Sequence, residues 1–397
     1  MKKVLITCFD MGIGGVERSL VNMLDNFDYE NYKIDLMLYR HQGEFLDMIP
    51  DCVNLLSEKE GYNSFGDSLD KVIKDGKYAL ASARIKAKLM ATGTKITKKI
   101  DEIGYYQDQL ANKYSNKYLN NIDNEYDTAI SYVWPHDMVA YKVNAKKKIA
   151  WIHTDYSTIY LDRKIDLDLW NNFDHIVSIS QDCTDAFLKM YPSLEEKIIL
   201  VENIRAPKFI NQMANEECKD MENSNEINLL TVGRLCHQKA IDNAIMAMKL
   251  LKNKGIDNVK WYIVGYGPDE YMLKNLIKEY NVGDRFFLLG KKTNPYPYMK
   301  KCDIYIQPSR YEGKAVTVLE AQMLGKSVLI TNYPTAKSQL RHNVDGYITD
   351  LSIEGIAKGI EKLIKDVNLR RKLEKNTKGF DYSNVEELEK LYEVIEV

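Results

Sequence analysis

The sequence lacks a cysteine framework, a long apolar run and an excess of charge of either sign. Its six cysteines, Cys8, Cys52, Cys183, Cys218, Cys236 and Cys302, lie far apart with no C-x-x-C pair. That spacing builds neither a disulfide scaffold nor a zinc site and fits a reducing, cytoplasmic setting. No window approaches the roughly 18 consecutive apolar residues of a membrane span. The opening MKKVLITCFDMGIGG loses its apolar run at Asp10 without a small-residue cleavage pattern, which argues against a signal peptide. Lys and Arg number 55 against 57 Asp and Glu, a net of -2, so no chain-wide field exists to hold a nucleic acid. Contact with a polyanion or a membrane must then be local. What remains is ordinary globular usage, 45% hydrophobic and 28% charged over 397 residues, enough for two or three domains with buried cores.

Residues 4–9 form a short apolar run that ends in Asp10-Met11-Gly12-Ile13-Gly14-Gly15, after which Val16, Leu20, Val21 and Leu24 recur at helical spacing. Further strand-length runs lie at 34–39, 128–133, 148–152 and 175–180, with helical periodicity between several of them. A second series starts near Ile227. It comprises INLLTVG, a helix over 239–251, WYIVG, a helix through Leu273 and Ile277, RFFLLG, DIYIQ, a helix over 318–324, and SVLIT. Alternation of this kind predicts an α/β fold with two doubly wound parallel sheets. Residues 208–226 are polar and aperiodic, so we expect the junction there: an N-terminal domain over 1–207, a C-terminal domain over 208–382, and a terminal helix over 383–397.

One segment breaks the charge balance. Residues 71–100 carry nine cations against Asp75 alone, a net of +8, which leaves -10 for the rest of the chain. Tyr78, Ala81, Ile85 and Leu89 give it an apolar stripe. Such a helix can lie on an anionic membrane surface, or it can be a solvated helix on a domain flank.

Four places offer chemistry. The turn Gly12-Ile13-Gly14-Gly15 opens a helix whose N–H groups favour phosphate, although a glycine turn also serves tight strand-to-helix packing. It is not the dinucleotide fingerprint, because Glu17 takes the third glycine's place and Leu38-Tyr39-Arg40 offers no acid for a ribose. After INLLTVG, Arg234 and Lys239 can grip a diphosphate and stabilise it as a leaving group, or be plain surface charges. The stretch from Ser309 to Ala321 places Glu312 in a turn and Glu320 eight residues on in a helix. These carboxylates can accept from two sets of sugar hydroxyls, and the amides of Gly313, Lys314, Ala315 and Val316 would open a helix toward phosphate. If helical throughout, the stretch separates them by roughly 12 Å, too wide for the paired carboxylates of a glycoside hydrolase. His153 closes a strand, where an imidazole can bond a hydroxyl, relay a proton or be structural. Asp166-Leu167-Asp168 has the D-x-D spacing of metal-dependent transferases, but sits among other acids and reads as a surface charge run.

Taken together, Gly14-Gly15, His153, V-G-R with Lys239, and E-x7-E ending in Glu320 resemble the retaining nucleotide-sugar glycosyltransferases of family 4. That family has the GT-B fold of two Rossmann-like domains facing across a cleft, with a last helix that crosses back onto the first. The resemblance implies that Gly14, Gly15, Arg234 and Lys239 face the donor diphosphate and that Glu312 binds the transferred sugar. It likewise sets Glu320 on the ribose, Gly290 and Lys291 at the base, and His153 on the acceptor side. His153, Glu312, Arg234 and Lys239 are then the catalytic set, with Gly313, Lys314, Ala315 and Val316 completing the donor site. No metal or other cofactor is implied, since cations and helix dipoles replace it, and retention follows from front-side attack with the leaving phosphate as base. The variant E-G-K-A-V-T with T-N-Y-P-T-A looks like bacterial surface-polysaccharide and capsule transferases. Their acceptors are glycans or polyprenyl-diphosphate-linked sugars at the cytoplasmic face of the membrane. The donor expected is a UDP-hexose. A GT-B epimerase of nucleotide sugars and a non-catalytic, membrane-docked sugar-binding scaffold remain the alternatives.

Overall fold

The structure, a computed structural model, describes every residue except 13, 101–102, 206, 222–225, 313–314 and 397, and the backbone alone at Lys208. The chain divides into two compact units: Met1–Arg205 together with Asn384–Val397, and Ala206–Ser383.

Among the described residues the first unit holds seven strands: β1 (Lys2–Cys8), β2 (Tyr32–Leu38), β3 (Asn54–Leu55), β4 (Ile122–Ser131), β5 (Val143–Ile152), β6 (His175–Ser178) and β7 (Ile198–Leu200). They lie in the order β3-β2-β1-β4-β5-β6-β7, with every pairing parallel. The second unit repeats the plan with β8 (Ile227–Val232), β9 (Val259–Val264), β10 (Phe286–Gly290), β11 (Ile304–Gln307), β12 (Ser327–Thr331) and β13 (Tyr347–Thr349). Its order, β10-β9-β8-β11-β12-β13, is also parallel throughout. Both sheets reverse their winding beside the first strand, between β1 and β4 and between β8 and β11. Ligands of open α/β sheets bind beyond the carboxyl ends of strands at such a reversal.

Parallel strands covered by helices on both faces must be apolar on both faces, and here they are. Val4, Leu5 and Ile6 in β1, and Leu229 and Leu230 in β8, are all fully buried. The first core gathers Leu5, Ala129, Ile152, Trp170 and Phe187, the second Leu229, Trp261, Ile304, Leu329 and Ile360. Strands β4 and β5 begin earlier than the apolar runs indicate. Their polar first halves pair with one another at the margin of the sheet, through Asn144 to Glu125 at 3.0 Å and Lys146 to Asp127 at 2.7 Å.

The basic segment forms two helices, Leu69–Lys74 and Tyr78–Lys98. In the longer one Ala87 and Ala91 pack against Tyr106, Leu110 and Ala111 of the helix Gly104–Ser115. Of the stripe seen in the sequence only Ala81 is buried; Tyr78, Ile85 and Leu89 face outward with Ile96. Among the described residues no helix is long and apolar enough to cross a membrane.

The terminal helix Glu387–Glu396 belongs to the first unit. Tyr392 stacks on Tyr32 with ring centroids 5.2 Å apart and meets Phe27 edge-on, while its hydroxyl accepts from the Asp28 N–H at 2.9 Å. Glu396 pairs with Lys2 at 2.9 Å and accepts from the Tyr32 hydroxyl at 2.7 Å.

Candidate functional site

In the second unit, the loops after β8 and β11 meet where the strand order reverses. After β8 the chain runs through Gly233 and Arg234 to a short 3-10 turn, His237–Lys239, and enters the helix Ile241–Asn253. The Lys239 stem passes over Gly233, where a Cβ would lie 3.4 Å from it. Lys239 reaches Glu312 beyond β11, Nζ to Oε1 at 2.6 Å. The lysine side chain is 17% exposed and the carboxylate 5%, so this is a largely desolvated ion pair. Ser309 Oγ donates to the same oxygen at 2.6 Å and Gln307 Nε2 at 3.1 Å, while Gln238 Nε2 reaches Oε2 at 3.3 Å. A carboxylate held by this many donors has a fixed position.

The neighbouring Arg310 braces the loop. Its guanidinium forks onto Asp242 at 3.0 and 2.6 Å and donates to the His237 carbonyl at 2.6 Å. Thr335 Oγ1 donates to the Glu312 carbonyl at 2.8 Å, which ties the loop after β12 to the same place.

Glu320 lies within the helix Val316–Met323, 2% exposed, and accepts from the Tyr296 hydroxyl at 2.8 Å. Because that helix starts at Val316, the stretch from Glu312 to Glu320 is not helical throughout, and the 12 Å spacing does not apply. A hydrolase pair is instead disfavoured by the burial of Glu320 against Tyr296. Val316 is exposed, but the Ala315 amide is already taken by Gln339 Oε1 at 2.8 Å. Gly313 and Lys314 lie outside the described residues.

Arg234 is exposed on the loop after β8. Gly290 ends β10 with φ +73, and Lys291 sets its ammonium 5.6 Å from the ring of Tyr266, itself 59% exposed. Tyr266 stands between two glycines that the sequence reading passed over. A Cβ at Gly265, whose φ is +153, would lie 1.8 Å from the Gly233 carbonyl oxygen, and one at Gly267 would lie 2.2 Å from that of Leu235. Only glycine lets the loops after β8 and β9 close on each other. The signal was available as V-G-Y-G directly after an apolar run.

In the first unit, Gly14 precedes the helix Gly15–Asp25 with extended φ -152 and ψ 165. Glu17 folds back over it so closely that a Cβ on Gly14 would lie 2.0 Å from Oε2, whereas a Cβ on Gly15 would meet nothing within 4 Å. Burial raises the Glu17 pKa, and its own backbone N–H partly offsets this. The Glu17 carboxylate thus lies over Gly14, and the open space lies at Gly15.

His153 follows β5 with its ring 4.8 Å from that of Tyr132 and nearly parallel to Trp151. Both ring nitrogens are buried without a hydrogen-bond partner among the described residues. Burial disfavours the imidazolium and brings its pKa down to about 4, so the ring is neutral at physiological pH.

Asp166 corrects the reading of 166–168 as a surface charge run. Asp168 is exposed, but Asp166 is fully buried and accepts from Trp170 Nε1 at 2.9 Å and from the Tyr191 hydroxyl at 2.8 Å. One turn of helix separates the acid from the indole, so it serves as an internal bracket for the core. Burial lifts its pKa to about 6, against the pull of those donors.

Comparison with known proteins locates this geometry. Residues 214–380 match the family model of the glycosyl transferases group 1. The chain is 28% identical over 248 residues to an uncharacterized glycosyltransferase of Methanocaldococcus jannaschii, covering 59% of this chain and 62% of that protein. It is 30% identical over 159 residues to the N-acetylgalactosamine-N,N'-diacetylbacillosaminyl-diphospho-undecaprenol 4-alpha-N-acetylgalactosaminyltransferase of Campylobacter jejuni, covering 38% and 42%. It is 27% identical over 179 residues to the O-antigen biosynthesis glycosyltransferase WclY of Escherichia coli, covering 42% and 45%. The matched part is thus 42 to 62% of the length of these relatives. Among solved structures, Anabaena Alr3699/HepE in complex with UDP-glucose aligns over 100% of both chains with TM-score 0.60 at 15% identity. A TarM variant of S. aureus does so over 100% of both with TM-score 0.61 at 14% identity. Likenesses at this identity show the fold. Residues 214–380 thus resemble the group 1 glycosyl transferases, and the chain has the GT-B fold of two Rossmann-like parallel sheets.

Proposed function

We propose that the protein is a retaining hexosyltransferase that needs no metal and moves a hexose from a UDP-sugar to a glycan or polyprenyl-diphosphate-linked acceptor in surface-polysaccharide synthesis. The observation that carries this reading is the desolvated Lys239–Glu312 pair at the reversal point of the second sheet, inside the segment that matches the group 1 transferases. Lys239 and Arg234 are the cations that neutralise a departing diphosphate, and Glu312 is the acceptor for hydroxyls of the sugar. Gly290, Lys291 and Tyr266 border the base. The anomeric carbon loses its bond to the phosphate oxygen and gains one to the acceptor oxygen, on the same face of the ring. The acceptor proton passes to the leaving UDP. His153, neutral and with its nitrogens unengaged among the described residues, stands on the acceptor side, where it can exchange hydrogen bonds with a hydroxyl.

Two relatives support the donor and acceptor classes: the HepE structure holds UDP-glucose, and the C. jejuni enzyme's name places its acceptor on diphospho-undecaprenol. A membrane-face location is supported by the helix Tyr78–Lys98, whose outward side combines Tyr78, Ile85, Leu89 and Ile96 with flanking lysines.

A thermal-shift panel of nucleotide sugars tests the donor. A ligand at 100 times its Kd adds about 2.7 kcal/mol, so a UDP-hexose stands out against GDP- and CMP-sugars. Release of UDP with acceptor extract must persist in EDTA. Arg234→Ala lowers donor affinity by about 1–3 kcal/mol. Unchanged affinity in that variant removes Arg234 from the site, and stabilisation by no nucleotide sugar refutes the function.

A further inference from the structure

Two cavities of the first unit, about 440 and 350 Å³, are of ligand size and lie side by side. Both open where the first sheet reverses: Phe9, just beyond β1, lines one, and Val133, just beyond β4, lines the other. They are contiguous, because Trp134 and Asp108 line both. The smaller holds His153 and Tyr105; the larger holds Gln107, Arg84 and Lys88. Tyr105 meets Trp134 edge-on at 5.8 Å, which gives the shared wall an aromatic corner. The Trp134 indole Nε1 is buried and has no hydrogen-bond partner among the described residues.

This combination has a definite chemistry. A pyranose ring is apolar on its C–H faces and polar around its rim, so it is recognised by an aromatic face beside carboxylate and amide groups. Here one tryptophan, with a donor left over, separates two such places, and a carboxylate reaches into each. Neither nucleotide nor lipid fits as well: Asp70 and Asp108 cancel Arg84 and Lys88 in the larger cavity, which leaves no net charge for a diphosphate.

We infer that the two cavities are successive sugar subsites for the acceptor. The His153 cavity takes the sugar that is glycosylated, and the Arg84–Lys88 cavity takes the sugar before it, with Trp134 between them. The inference rests on the transferase reading and deepens it. The acceptor class becomes a glycan of two or more sugars, so an earlier glycosyl transfer must supply it, and this protein extends a chain that another enzyme starts.

The test is binding to the full-length protein by saturation-transfer NMR and titration, with UDP present. The probes are glucose and cellobiose, N-acetylglucosamine and N,N'-diacetylchitobiose, and galactose and its β-1,4 disaccharide. At least one disaccharide should bind roughly tenfold tighter than its monosaccharide, the worth of one good stacking contact. Trp134→Ala should erase that advantage and Tyr105→Ala should reduce it. The affinity for UDP, read in the same samples, stays unchanged in both variants and reports that they are folded. Equal affinity for mono- and disaccharide, an advantage that survives Trp134→Ala, or no binding by any of the six sugars overturns the inference. Failure of the wild-type protein to bind UDP or any UDP-sugar strikes the transferase reading instead, and the two outcomes are read separately.

Discussion

Lys239 and Glu312 are 73 residues apart in sequence and 2.6 Å apart in space. Removing one partner of a desolvated pair leaves the other charge stranded, at a cost of about 3 kcal/mol. Lys239→Met should therefore lower the stability of the second unit by about that much in urea titrations, and abolish donor-induced stabilisation as well. Adding Glu312→Gln neutralises the stranded charge and keeps an acceptor for Ser309. The double variant should recover most of the stability and none of the donor affinity. Recovery of both would make the pair purely structural. Sequence reading reached both residues as separate candidates, but their contact depends on β8 and β11 being neighbours, which no local spacing encodes. His153 was legible as a residue at a strand end, while its protonation was not, because desolvation comes from Tyr132 and Trp151 packed around it. Its pKa of about 4 lies below the ordinary value, so the ring should show no protonation between pH 7.5 and 5.5 in ¹⁵N-detected imidazole spectra. A midpoint near 6.5 would mean that the ring is open to water. Asp166 was misread for the same reason: its neighbours in sequence are polar, while its neighbours in space are Trp170 and Tyr191.

At the scale of elements, the helix Tyr78–Lys98 has two apolar sides. Leu80, Ala83, Ala87 and Ala91 form the side that packs inward, with small residues that allow close approach, and Tyr78, Ile85, Leu89 and Ile96 form the opposite, exposed side. Periodicity finds an apolar stripe but cannot say which stripe a neighbouring helix will cover. Here the sequence stripe is uncovered except at Ala81, because the larger side chains drew the pattern and alanine carried the packing. Substitutions on the two sides should separate cleanly. Leu89→Glu and Ile85→Glu should change stability by no more than about 0.5 kcal/mol, as exposed sites do, yet lower sedimentation with phosphatidylglycerol vesicles. Ala87→Leu should cost about 1–3 kcal/mol through overpacking against Leu110 and Ala111. Vesicle binding that is indifferent to both outer substitutions would return the helix to the role of a solvated flank.

For the whole molecule, the chain ends in the unit where it began. Leu388, Leu391 and Ile395 recur at helical spacing, so the element was legible, but nothing in that spacing names the sheet it covers. The partners do: Phe27 and Tyr32 present an aromatic face that Tyr392 completes, and Lys2, at the start of β1, holds Glu396. Leu388, Leu391, Val394 and Ile395 are each at most 7% exposed. At about 1.5–3 kcal/mol for each such side chain as an upper bound, their loss approaches the roughly 5–15 kcal/mol by which a domain is stable at all. Ending the chain after Ser383 should accordingly loosen the first unit while leaving the second, whose core contains none of these residues, intact. Hydrogen exchange resolves this by strand. Amides of β1 and β2, which lie under the removed helix, should lose protection by the largest factor, and those of β8, β9 and β11 should keep theirs. Equal loss in both sheets would show that the two cores unfold as one cooperative body; no loss in either would show that the terminal helix contributes little beyond its own contacts.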